Sequence, residues 1–140
     1  MTRRRAAAAG AAAAVVWGLA EPLDRRLFRY GYSDIAILGQ ALTRGRGWRA
    51  AGFAVHAANG AAFGLGWRAL RKRTSVSPVA LALVEHLAFF PLALVVDRRH
   101  PARGSRELPP LFTWRAFAQA TVRHVLFGWL LGRFAGANRG

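Results

Sequence analysis

The 140-residue sequence contains no cysteine, a single lysine (Lys72) and only six acidic residues. The missing cysteines exclude a disulfide framework and any thiolate metal site. No HExxH pair, phosphate-binding glycine loop, nucleophile–base arrangement or pair of adjacent carboxylates is present, so no motif specifies a reaction, and the expectation is a protein that is not an enzyme. What the chain has instead is 21 basic residues, a formal net charge of +15 and a hydrophobic content of 54%.

Such a charge invites a nucleic-acid reading. The placement of the arginines argues against it. They cluster at Arg3–Arg5, Arg25–Arg29, Arg68–Arg73 and Arg98–Arg106, between long apolar runs. This is the layout of a membrane protein whose loops face anionic headgroups. The lipid bilayer and its anionic headgroups are therefore the expected partners, with a homo-oligomer as a further possibility and no nucleic acid.

Four apolar runs follow, at 6–20, 50–67, 77–96 and 116–132. The first is short and alanine-rich, about 22 Å at 1.5 Å per residue, and Glu21-Pro22 after it reads as a stop or kink. It is either a retained helix or a signal peptide ending near Ala20. Trp48 and Trp67 bracket the second as interfacial aromatics would. Ser77-Pro78 opens the third as cap and first helical residue, and Pro91 interrupts it. Trp114 and Trp129 lie near the ends of the fourth. A soluble helix would show a polar face. Runs two and three are apolar nearly all round, and a chain this short cannot bury four such helices. The fold expected is an all-α integral membrane bundle of four transmembrane helices forming one domain over 1–140. The compact Arg71-Lys72-Arg73 loop and the basic start favour a bacterial inner-membrane location with both termini cytoplasmic. Ser33-Asp34 begins a short helix through Thr43 that reads as lying in the interface.

Each later run carries a histidine near its middle. His56 and Asn59 lie in the second, Glu85 and His86 in the third, Arg123 and His124 in the fourth. At 1.5 Å per residue these fall within about 5 Å of a common midplane. Ionisable groups at that depth cost roughly 2.5–3.5 kcal/mol each on insertion scales, so they should face inward and pair. The pair expected is Glu85 with Arg123. Glu21, Asp24, Asp34 and Asp97 read as interfacial or loop acids.

Small residues recur at i+4 steps around two histidines: Gly52, His56, Gly60, Gly64, and Ala120, His124, Gly128, Gly132. Such stripes suit close helix contact. Trp48-Arg49-Ala50 and Trp114-Arg115-Ala116 open runs two and four alike, which suggests two tandem helix-pair repeats. The acidic-proline end of helix one (Glu21-Pro22), the Gly- and His-bearing second helix (His56–Gly64) and the His-aromatic-Gly fourth helix (His124–Gly128) resemble small uncharacterised bacterial inner-membrane proteins of the YagU-like kind. That resemblance implies a four-helix membrane fold and no assigned activity.

Three roles fit these residues. The polar cluster fixes helix register in a structural or interaction protein. Alternatively it moves protons or anions in a carrier acting as a homo-oligomer. Or His56, His86 and His124 bind haem or a metal, no dedicated metal site being otherwise legible.

Overall fold

The computed structural model describes residues 1–136. They form six α-helices: α1 (Arg3–Phe28), α2 (Asp34–Leu42), α3 (Trp48–Leu70), α4 (Pro78–Phe89), α5 (Ala93–Arg99) and α6 (Trp114–Gly136). No strand occurs among the described residues, only an isolated bridge between Ser105 and Leu108.

Thr2 caps α1 by accepting from the Arg5 amide at 3.2 Å. The helix does not stop at Glu21-Pro22 but runs on to Phe28. An interior proline costs roughly 3 kcal/mol in an isolated helix. Here the continuing helix carries Trp17, Glu21 and Asp24 on one face, where each meets a partner described below. The end comes at Arg29, in the left-handed region at φ 49°. Its amide bonds to the Arg26 carbonyl and that of Tyr30 to the Arg25 carbonyl. This is a Schellman termination, built here without glycine.

Ser77 caps α4 by accepting from the Ala80 amide, with Pro78 at the first helical position. Pro91 tightens the backbone into a 3-10 turn over Phe90–Leu92 before α5 resumes. The proline therefore interrupts a continuous rod, Pro78–Arg99, rather than ending it.

The small-residue stripes lie in the interfaces. A Cβ placed on Gly60 would fall on the Gly10 carbonyl of α1, and one on Gly64 on the Ala6 carbonyl. A Cβ on Gly128 would strike the backbone of Pro78 and Val79 in α4. α3 thus packs antiparallel on α1, and α6 on α4, at near backbone contact. α1 also packs on α6, while α2 runs antiparallel along the first turns of α3, with Ile35 against Gly52 and Gly39 against Trp48. Around the bundle the order is α3, α1, α6, α4. A strict helix-pair repeat would give α3 and α4 an interface equivalent to that of α1 and α6. No comparable interface forms, and the space between α3 and α4 stays open.

Two segments are long and apolar enough to cross a membrane, Arg3–Phe28 and the Pro78–Arg99 rod. Only 11% of the rod's most apolar stretch is buried. Val84, Leu87, Phe89, Leu92 and Val95 project from it, as Leu19, Leu23 and Leu27 do from α1.

Candidate functional site

Arg123 is the largest fully buried side chain, 1% exposed in the centre of the bundle. Its fork is filled by three carboxylates and a carbonyl. Nε and Nη2 grip the two oxygens of Asp24 at 2.5 and 2.6 Å. Nη1 donates to Asp34 Oδ2 at 2.7 Å, and Nη2 also to the Tyr32 carbonyl at 3.0 Å. Glu21 Oε1 lies 3.7 Å from Nη1. The guanidinium sits 4.4 Å from the centre of the Tyr32 ring. A planar group with five donors is needed to do this, and lysine would not.

The expected Glu85–Arg123 pair does not form. The helices bring Glu21, Asp24 and Asp34 to Arg123 instead, and Glu85 makes no ion pair among the described residues. The reason lies in α1 and the turn after it. Because α1 passes through Pro22, Glu21 and Asp24 are carried into the bundle beside α6. The chain then folds back over residues 29–33, so that α2 begins beside α3 well inside its first turn.

Glu21 holds that re-entrant start in place. Its carboxylate accepts from the Ser33 hydroxyl at 2.5 Å and from the amides of Asp34 and Ile35 at 2.8 and 3.3 Å. Ser33 in turn caps α2 by accepting from the Ala36 amide at 3.0 Å. The first amides of a helix carry about half a positive charge. They supply the cation that a single arginine cannot give to three acids. Tyr32 donates its hydroxyl to Asp34 Oδ1 at 2.8 Å, and Gln119 donates to Asp24 Oδ1 at 2.6 Å. The acids expected at the interface are therefore the inner wall of the cage. Asp97 does serve a loop: it accepts from the Leu111 and Phe112 amides at 2.6 and 2.9 Å.

The histidines form a separate layer beside the cage. Thr121 Oγ1 gives its proton to the Phe117 carbonyl at 2.8 Å, so His86 Nε2, 3.0 Å from that oxygen, carries hydrogen and donates. His124 Nδ1 donates to the Ala120 carbonyl at 2.8 Å. The two imidazoles stack with centroids 4.7 Å apart. Stacked rings direct their nitrogens alongside one another, and a metal or haem between them would require them to turn. No group of three His, Asp or Glu among the described residues is arranged to hold a metal ion. Trp17 packs edge-on against both His56 and His124. Asn59 is exposed along the same layer.

The chain matches no known protein family, curated protein or solved structure.

Between α3 and α4 runs a groove of about 1040 Å³. Arg3, Arg68, Lys72 and Arg73 form its mouth, Leu81, Val84, Ala88 and Phe89 its apolar wall, and Glu85 stands at its deep end. Two smaller cavities adjoin it there. One, of about 210 Å³, is lined by Trp17, Asp34, His56, Asn59 and His124; the other, of about 420 Å³, by Tyr32, His86, Phe90, Leu92 and Val96. His56, Asn59, Glu85, His86 and His124 thus share one continuous space, while Arg123 stands behind it, sealed in its own cage.

Tyr32, Ser33 and His100, which lie outside the apolar runs, and Gln119, an uncharged residue inside the fourth, also take part. His100 accepts from the Ala102 amide at Nδ1 and so donates from Nε2 to the Ile37 carbonyl at 2.9 Å, tying the loop before α6 to α2.

Proposed function

We propose that this chain is a multi-pass protein of the bacterial inner membrane with both termini cytoplasmic. It crosses the bilayer with α1, α3, the α4–α5 rod and α6, and it binds an anionic amphiphile in the groove between α3 and α4. Its role is one of binding and interaction rather than catalysis. A rod as apolar as Pro78–Arg99 with 11% of its most apolar stretch buried needs a non-aqueous cover. α1 packs on α3 from Ala6 through Gly18, and a cut near Ala20 would leave α3 without that partner, which favours a retained first helix.

The observation that carries the reading is the groove itself. Its four cationic side chains stand at one end and its apolar wall leads inward from them. A phosphate-bearing headgroup fits the first and an acyl chain the second. The absence of cysteine makes the test clean. Ala88→Cys places one thiol in the groove wall. Its alkylation by N-ethylmaleimide should slow at least threefold when phosphatidylcholine vesicles are enriched in phosphatidylglycerol. The Arg68→Gln/Lys72→Gln/Arg73→Gln variant should lose that protection. Equal rates in both lipids would end the reading.

Glu85, unpaired at the deep end, favours a second reading, a proton-coupled carrier. Proteoliposomes that move no protons, or that move them equally with Glu85→Gln, would exclude it.

A further inference from the structure

We infer that the 210 Å³ cavity between Trp17 and His56 binds the hydroxyl group of a membrane-soluble alcohol. Trp17 Nε1 and His56 Nε2 are both buried without a hydrogen-bond partner among the described residues. The two residues are only 6% and 8% exposed, and both line the cavity. Their ring centroids lie 5.0 Å apart, nearly perpendicular. An unsatisfied buried donor or acceptor costs about 1–3 kcal/mol, so two such atoms at one cavity call for an occupant.

The chemistry of the pair defines that occupant. An indole N–H only donates, whereas an imidazole nitrogen either accepts or donates according to its tautomer. A hydroxyl is the smallest group that accepts from Trp17 and still offers a proton to His56. The Asp34 carboxylate on the same wall disfavours an anion, and the indole N–H disfavours a cation. A neutral ligand satisfies both.

The cavity opens into the 420 Å³ space, with which it shares Ile37, Leu38 and Asn59. Phe89, Phe90, Leu92 and Val96 make that space an apolar bed. The hydroxyl end of the ligand therefore lies against Trp17 and its hydrocarbon chain lies toward α4 and α5. Water carries the same hydroxyl chemistry but has no use for the bed. This site is distinct from the cationic mouth and does not rest on the binding of an anionic amphiphile there.

The test is a titration of isotope-labelled protein in dodecylphosphocholine, which carries no hydroxyl, followed by the indole N–H signals of the five tryptophans. Trp17→Phe assigns the signal of interest. Decan-1-ol should shift the Trp17 signal saturably, at concentrations at least tenfold below those at which decane has any effect. His56→Phe should abolish the shift while leaving the other four indole signals in place. His56→Gln, which keeps a donor and an acceptor, should retain it. An equal response to decane, no saturable response to either, or a Trp17 proton coupled to water alone would overturn the assignment.

Discussion

Replacing Arg123 with glutamine removes a guanidinium that makes four hydrogen bonds, two to Asp24, one to Asp34 and one to the Tyr32 carbonyl. Glutamine offers two donors on a shorter stem and no charge. At least one buried carboxylate is then left facing no cation. Removing one partner of a buried ion pair costs about 3–5 kcal/mol. At 1.4 kcal/mol per decade, the ratio of folded to unfolded protein should fall roughly a hundredfold to several thousandfold. Titration from mild detergent into sodium dodecyl sulfate, followed by circular dichroism, reads that change. A double-mutant cycle then locates the partner. Arg123→Gln and Asp24→Asn should couple by more than about 1 kcal/mol, because they share two hydrogen bonds. Arg123→Gln and Glu85→Gln should add within about 0.5 kcal/mol, because no contact joins them. Coupling to Glu85 with additivity at Asp24 would refute the cage.

Two other outcomes follow from the geometry. Gly60→Ala should cost about 1–3 kcal/mol in the same titration, since its Cβ lands on the Gly10 carbonyl, whereas Gly66→Ala, with open space around it, should cost nothing or stabilise. Ser33→Ala should cost about 1–2 kcal/mol and speed hydrogen exchange at the Ala36 amide, because it removes the cap of α2 and a proton donor to Glu21.

The histidine layer was legible from depth alone. Residues near the centres of antiparallel helices meet, and His56, His86 and His124 do lie around one space with Asn59 and Glu85. The starts of α3 and α4 were legible from Trp48 and from Ser77-Pro78. Arg123 reads as inward and in need of carboxylates, and it has them, but they come from Glu21, Asp24 and Asp34, outside the apolar runs. Glu21-Pro22 reads as a stop or kink, and only a helix that continues through it carries Glu21 and Asp24 into the bundle. Proline disfavours a helix interior, yet a kilocalorie-scale penalty yields to a buried arginine that needs two acids on one face. The signal that was available is the crowding of Glu21, Asp24 and Asp34, half of all the acidic residues, into fourteen positions. The open side between α3 and α4 had no such signal. Both stripes of small residues promised close packing, and nothing in them says which neighbour each would meet.

The cage also imposes an order on biogenesis. Its acids leave the ribosome first and its cation last, with 99 positions between Asp24 and Arg123 and 89 between Asp34 and Arg123. At about 5–20 residues per second, roughly 5–20 s of synthesis separate the two ends of that bond. Through that interval Asp24 and Asp34 lack the buried arginine that they grip in the finished cage, and the fold-back after α1 rests on Glu21 and α3. Docking of α6 is then more than the addition of one more helix. It is the step that lets the earlier half of the chain take its final position, so a nascent chain stalled before Arg123 should leave residues 32–36 accessible to water-soluble labels that the finished protein excludes.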